Sequence, residues 1–325
     1  MFRFKLHRSQ TGWIAAAMVL ALSLPAYGAG KTGNSSGLTK FTVAMVSSID
    51  TEPYFYALSQ GYYKKVGLDV TLTQSDSGPA LVTGVLNGTY DAASAAAFPI
   101  LIAIGKGLPL KFYPGVALVA PNHGNSGLVV KPDSPIKGFA DVAGKTIATN
   151  ALTSLTTLAL KIGIKQAGAD PNSVKIVALP FKSSVQAVAQ GQADAAVVIS
   201  PFETIAENNG LNVIADPIGE MMPKGAPYNI IFTTTKNSAA KKKEFAAFHK
   251  ATAKAVTALA ANEKLQRELA HSKFDLAPEV AKTVPLPDWS TNQIDLKAFQ
   301  KYADYVAEFG YTDKSVDVSK VVVNP

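Results

Sequence analysis

The fold is decided by a stretch of sequence that occurs twice. Residues 85–93 read VLNGTYDAA, and residues 188–196 read VAQGQADAA. The two copies lie 103 residues apart and share their apolar positions, one Gly, one Asp and a final Ala-Ala pair. This recurrence indicates a duplicated structural unit.

The similarity continues upstream of both copies. A β-type run at 41–46 or 145–149 is followed by a helical pattern that ends at Gly67 or Gly168, and a second β-type run comes next. Each unit therefore follows the order strand, helix, strand, helix, strand. This alternation is typical of a parallel sheet with helices on its faces.

We predict an α/β protein of two lobes, each a mostly parallel sheet flanked by helices and joined to the other by two crossovers. The expected boundaries are 38–127 together with 231–325 for lobe 1, and 128–230 for lobe 2. Open parallel sheets bind ligands beyond the carboxyl ends of their strands. Two such lobes should face each other across a cleft and close by rotation at the crossovers.

The first 28 residues have the pattern of a cleaved signal peptide. Arg3, Lys5 and Arg8 precede an apolar run from Trp13 to Leu24, and small residues follow. The run is shorter than the ~20 residues that a spanning helix needs. Without residues 1–28 the formal net charge falls from +7 to +4, and the basic residues are scattered, which argues against nucleic-acid binding. An exported chain with no Cys is expected to diffuse freely in a periplasm.

One segment resembles a known family. Residues 54–70, YFYALSQGYYKKVGLDV, are similar to a motif of ABC-transporter solute-binding proteins for nitrate, sulfonates, taurine and thiamine-pyrimidine precursors. LNGTYD at 86–91, FADVAGKTIA at 139–148, and GQAD at 191–194 followed by Pro201-Phe202 keep the family's order. The resemblance implies the type II periplasmic binding fold, no cofactor, and delivery of a small-molecule ligand to an ABC permease with its ATPase subunits in the inner membrane. We expect a monomer.

Candidate ligand-binding residues follow from the predicted strand ends. The segments at these ends are 47–54, 75–80, 96–98, 150–154, 180–184 and 200–203. Aromatic walls and hydroxyl or backbone donors would come from these segments and from the crossovers. The residues expected to contact ligand are Tyr54, Ser77, Gly78, Ala97, Phe98, His123, Thr153, Ser154, Ser200, Phe202 and Tyr228.

The residue inventory favours an anionic solute. Arg267 is the only arginine after residue 28 and lies in a polar helical stretch, so a bidentate arginine clamp is not expected. Helix N-termini can hold an anion without a charged side chain. A sulfonate or related oxyanion is therefore the first expectation. An aromatic acid or a pyrimidine is the alternative, because Tyr54, Phe98 and Phe202 are among the candidates.

An enzyme on the same fold is the rival hypothesis. Glu52, Asp76 and Glu203 are the carboxylates that could serve one, but no nucleophile or metal-binding motif accompanies them. Three histidines after residue 28 and no Cys offer no dense metal cluster. We therefore predict a receptor and no catalytic residues.

Overall fold

Two mixed sheets of five strands each form the framework of the protein. This computed structural model describes residues 37–120, 126–274, 276–287, 289 and 294–324. The predicted signal peptide and His123 lie outside these residues. From Leu38 onward the chain forms one compact unit.

The strands are β1 (Thr39–Val46), β2 (Leu68–Ser75), β3 (Ala92–Ala95), β4 (Leu110–Tyr113), β5 (Ser126–Val130), β6 (Thr146–Thr149), β7 (Lys175–Ala178), β8 (Ala195–Ile199), β9 (Asn212–Val213) and β10 (Ile230–Thr234). The first sheet, the sheet of lobe 1, has the order β2-β1-β3-β10-β4, and the second, that of lobe 2, has the order β7-β6-β8-β5-β9. In each sheet three neighbouring strands pair in parallel, whereas β10 in the first sheet and β5 in the second pair antiparallel with both of their neighbours.

Helices connect these strands and cover the sheets. They are α1 (Glu52–Ser59), α2 (Tyr62–Lys65), α3 (Gly78–Leu86), α4 (Ala97–Gly105), α5 (Leu155–Gln166), α6 (Phe181–Ala189), α7 (Phe202–Asn208), α8 (Pro217–Met221), α9 (Thr235–Ala240), α10 (Lys242–Ala260), α11 (Glu263–Phe274), α12 (Pro278–Thr283) and α13 (Leu296–Glu308). The predicted order of strands and helices in the two units is confirmed.

The repeated Gly and Asp have the same structural role in both lobes. Gly88 and Gly191 follow α3 and α6 with φ of 80° and 73°, a conformation that glycine adopts without strain. Asp91 then accepts a hydrogen bond from the backbone N–H of Thr42 at 2.8 Å, and Asp194 accepts one from Thr146 at 2.7 Å. The carboxylate thus ties the third strand of each unit to the start of the first.

Two crossovers connect the lobes and pair with each other. One runs from β4 to β5 and the other from β9 to β10. The N–H of Tyr228 donates to the carbonyl of Ala117 at 3.0 Å, and the N–H of Val119 donates to that of Ala226 at 2.8 Å. The expected lobe boundaries stay a prediction; the one after residue 127 lies within β5 and the one after residue 230 lies after the first residue of β10.

The C-terminal helices pack on the first lobe through aromatic contacts. Phe248 of α10 stacks on Tyr63 with ring centroids 5.0 Å apart, and Phe245 meets Phe41 of β1 edge-on at 5.2 Å. Phe299 of α13 meets Phe112 of β4 at 5.2 Å. These aromatic side chains of the C-terminal helices therefore form part of the core. No helix in the described part of the chain is long and apolar enough to cross a membrane.

Candidate functional site

A cavity lies between the two sheets, at the carboxyl ends of their parallel strands. It measures about 60 Å³. A water needs roughly 10–15 Å³ by this measure, so the space suits a small solute. Lobe 1 contributes Val46, Ser48, Asp50, Gly78, Ala96 and Pro99; lobe 2 contributes Asn150, Ser154, Leu155, Thr156, Phe181 and Ile199; the second crossover contributes Ile218, Tyr228 and Asn229.

Four helices begin at the cavity wall. The lining includes residues of the first turn, or just before it, in α3, α4, α5 and α6. The first N–H groups of a helix have no partner within the helix, and this end carries about half a positive charge. Hydrogen-bond acceptors of a ligand therefore find backbone donors on both lobes.

The cavity wall also carries a buried carboxylate. Asp50 accepts hydrogen bonds from the hydroxyl of Ser48 and from the side-chain amide of Asn229. Burial raises its pKa to about 6, and the Ser48 hydrogen bond opposes this shift. At neutral pH the group is therefore mainly ionised and can accept hydrogen bonds from a ligand.

Two further carboxyl groups near the lobe contact are buried in neutral form. Burial raises the pKa of Glu52 to about 9, and the nearby charge of Asp50 raises it further. Burial also raises the pKa of Glu203 to about 8. The pKa of Tyr228 lies well above its usual value because of burial, and the nearby charge of Asp50 adds to this effect. No Lys or Arg of the described chain lines the cavity to balance Asp50.

Hydroxyl groups at the start of α5 organise the lobe 2 wall. Ser154 is the N-cap residue, and its hydroxyl donates to the carbonyl of Ala151 at 2.8 Å. Thr156 donates to the side-chain carbonyl of Asn150 at 3.0 Å. The amide group of Asn150 therefore has a fixed orientation at the cavity wall.

Three of the residues predicted from sequence line the cavity: Gly78, Ser154 and Tyr228. Two more of the predicted residues lie next to a lining residue in the chain. Ser77 caps α3 through the N–H of Ala80, and Ala97 follows the lining residue Ala96 as the first residue of α4. Thr153 is half-buried in the turn before α5.

Of the four predicted aromatic residues, Tyr54, Phe98 and Phe202 lie outside the cavity lining. Tyr54 stacks on Phe248 at 5.8 Å, and Phe98 meets Tyr311 edge-on at 4.7 Å, so both belong to the core. Phe202 stacks at 5.5 Å on Phe181, which does line the cavity. Ser200 meets lobe 1 through its backbone, since its carbonyl accepts from the N–H of Ile49 at 3.4 Å.

Several lining residues were not singled out from sequence. Ser48, Asp50, Ala96, Asn150 and Phe181 fall within the strand-end segments that we predicted. Hydroxyl groups suit the anionic ligand that the sequence predicted, whereas the carboxylate of Asp50 does not, so Asp50 was not among the predicted residues. Ile218 and Asn229 lie in the second crossover, where no sequence signal marked them except the neighbouring Tyr228.

In the part of the chain that the structure describes, no three His, Asp or Glu side chains are grouped so that they could hold an ion. The site thus consists of hydrogen-bonding groups and apolar walls.

Solved structures show which fold this is. The chain is similar to an alkanesulfonate-binding protein from Xanthomonas axonopodis pv. citri bound to MOPS, at a TM-score of 0.74 and 18% identity over 88% of this chain and 98% of that one. A periplasmic nitrate-binding protein from Synechocystis PCC 6803 gives 0.71 and 16% over 88% and 86%. The desulfurization enzyme DSZB gives 0.62 and 12% over 87% and 96%. The protein has the periplasmic binding protein fold, a fold that also serves an enzyme.

Sequence comparison assigns the family. Residues 48–264 match the model of the NMT1/THI5-like family, and the chain belongs to that family. A protein of Brachyspira hyodysenteriae, provisionally described as an ABC transporter periplasmic binding protein, is 24% identical over 263 residues, which cover 76% of this chain and 73% of that protein. The resemblance inferred from residues 54–70 and the later motifs is confirmed.

Proposed function

We propose that the protein is a periplasmic receptor of an ABC importer, which closes its two lobes around a small solute and presents it to the permease. The family, the fold and the cavity between the lobes support this proposal. The lobes contact each other at the edge of the cavity, as a receptor with captured solute requires. No residue is assigned a catalytic role.

The ligand that the geometry supports best is a small polar solute with hydrogen-bond donors, such as an aminopyrimidine. The observation that carries this assignment is the buried carboxyl group of Asp50 in a described lining without Lys or Arg. A ligand N–H group would donate to Asp50, while ring nitrogens or carbonyl oxygens would accept from the helix N-termini. Burying a second anion beside Asp50 would cost free energy unless one of the two takes up a proton.

A sulfonate or related oxyanion remains the second candidate. The four helix N-termini favour it, because their unpaired N–H groups can surround anionic oxygens. The neighbouring sulfonate- and nitrate-binding proteins share only the fold with this chain. Such a ligand would bind with Asp50 protonated.

The two candidates predict opposite pH dependence. The donor ligand needs Asp50 ionised, so its affinity should fall as the pH decreases through about 6. The oxyanion needs Asp50 neutral, so its affinity should rise over the same interval. Thermal-shift measurements on residues 29–325 at pH 5 and pH 8, with aminopyrimidines, alkyl and aryl sulfonates, taurine, nitrate and aromatic carboxylates, separate the two.

The same panel tests the receptor function itself. A ligand at 100 times its dissociation constant adds about 2.7 kcal/mol to the free energy of unfolding. Mass spectrometry of the ligand after incubation should show it unchanged. Chemical turnover of the tightest ligand would favour the enzyme instead.

A further inference from the structure

We propose that Asn229 is a positioning residue that fixes Asp50 as a hydrogen-bond acceptor in the cavity and thereby selects ligands that bring donors. The consequence of this positioning, ligand selection, rests on the proposed function. The positioning itself can be tested without any ligand.

The orientation of the Asn229 amide follows from its two partners. Its side-chain oxygen accepts from the backbone N–H of Val116 at 3.2 Å. The amide nitrogen must then point the other way, and it donates to Asp50. A reversed amide would set an N–H group against the Val116 N–H and an oxygen against the carboxylate, so only one orientation satisfies both contacts.

The contact requires a glycine on the first crossover. A Cβ atom at Gly115 would lie 2.4 Å from the backbone oxygen of Asn229 and 2.5 Å from its side-chain oxygen. Any larger residue would push Asn229 away from Val116. Gly115, Val116 and Asn229 therefore form a connection that runs from both crossovers to the cavity carboxylate.

The other titratable groups around Asp50 do not supply this stabilisation. Glu52 and Tyr54 lie on its own segment, and Tyr228 lies on the second crossover with Glu203 and Asp216 beyond it. All of these groups are neutral or negative. Hydrogen bonds to a carboxylate favour its charged form, and Asp50 receives them from Ser48, from its own backbone N–H and, through the contact described above, from Asn229.

Carbon-13 NMR of the Asp50 carboxyl in the ligand-free protein tests the positioning, with Asp50→Asn used for assignment. Loss of the donor in Asn229→Ala should raise the titration midpoint by at least about 1 pH unit. Gly115→Ala, which touches neither Asp50 nor ligand, should raise it in the same direction. Gly138→Ala is the matched control, because Gly138 is extended and a Cβ there meets nothing within 4 Å. An unchanged midpoint in folded Asn229→Ala would overturn the proposal.

A measurement on the wild-type protein keeps the test independent of variant folding. The side-chain NH2 signals of Asn229 should titrate with the midpoint of Asp50. Those of Asn208, which donate to the carbonyl of Thr204 at 2.8 Å, should not follow it. Asn229 signals that ignore the Asp50 titration would contradict the proposed contact.

Ligand selection is tested separately with two probes, 4-aminopyrimidine and methanesulfonate. At pH 7 Asn229→Ala should weaken the aminopyrimidine relative to the sulfonate by about tenfold, matching the shifted midpoint. If the titration midpoint shifts while the ratio of the two affinities stays unchanged, Asn229 orients Asp50 but does not select ligands. That result would overturn the ligand-selection part of the proposal. If the wild-type protein does not bind 4-aminopyrimidine, that result would count against the proposed ligand class, whereas the NMR result would still stand.

Discussion

Asn150 donates a side-chain hydrogen bond to the backbone carbonyl of Asp76 across 3.1 Å. The two residues follow β6 and β2, so the contact joins the strand ends of one sheet to those of the other. Together with the bond from Ile49 to Ser200, it holds the lobes together at the cavity. The structure thus shows an arrangement in which the lobes are already in contact.

Removing the Asn150 amide should favour separation of the lobes. One lost hydrogen bond is worth about 1 kcal/mol, which corresponds to roughly a fivefold loss of ligand affinity. Small-angle scattering of ligand-free Asn150→Ala should give a larger radius of gyration than the wild type. Gln74→Ala is the control, since Gln74 donates only to Ser47 of its own lobe at 3.3 Å. Equal radii for the wild type and both variants would contradict a closing role for Asn150.

Stability should fall as the pH rises from 5 to 8. The folded-state pKa values of Glu52 and Glu203, about 9 and about 8, lie above the ordinary 4.5, so the folded protein binds more protons than the unfolded chain in this interval. Glu52→Gln should remove about 1.4 kcal/mol per pH unit from the slope. Urea unfolding at several pH values measures this, with the exposed Glu268→Gln as comparison. If Glu52→Gln shows the same dependence of the free energy of unfolding on pH as the wild type, the raised pKa of Glu52 would be contradicted.

The repeated aspartate should matter to stability in both lobes. Asp91→Ala leaves the N–H of Thr42 without its side-chain acceptor and also removes the ion pair with Lys241. We expect a loss of about 2–3 kcal/mol in the free energy of unfolding, and a loss in the same direction for Asp194→Ala. Asp141→Ala is the matched control, because Asp141 accepts from the N–H of Lys137 at 2.8 Å in an exposed turn. Equal losses at Asp91 and Asp141 would argue against a structural role for the repeat.

Ser154 offers a way to fill the cavity from the lobe 2 wall. Ser154→Ala removes the helix cap and should cost about 1 kcal/mol of stability. Ser154→Leu loses the same cap and also occupies ligand space, so its affinity in calorimetry should be at least about tenfold below that of Ser154→Ala. Similar affinities in the two variants would mean that ligand does not approach Ser154.

The duplicated lobes were predictable from sequence, whereas the chemistry of the cavity was only partly so. The repeated Gly and Asp meet the same two local requirements in each lobe. The Gly adopts a positive φ after a helix, and the Asp accepts a hydrogen bond from the first strand, so both residues recur in the two copies. Five of the six predicted strand-end segments contribute residues to the cavity wall, since topology alone places them there, whereas the segment 200–203 contributes none. Tyr54 also lies outside the lining, because the helix α1 turns its ring toward Phe248.

The contact of Asn229 with Asp50 depends on how closely the two crossovers approach each other. This approach involves Gly115 and Asn229, which lie 114 positions apart and belong to no periodic pattern. The sequence also suggested an anion site, because the predicted helix N-termini could hold an anion without an arginine. It could not show that a carboxylate would become buried in the same wall.

The account is tested most directly by a crystal structure of residues 29–325 with the ligand that gives the largest thermal shift. We predict electron density for the ligand between the lobes, with a donor atom of the ligand within 3.2 Å of an Asp50 carboxylate oxygen, in the range of an ordinary hydrogen bond. Ligand bound outside this cavity, or an anionic group of the ligand against an ionised Asp50, would contradict it.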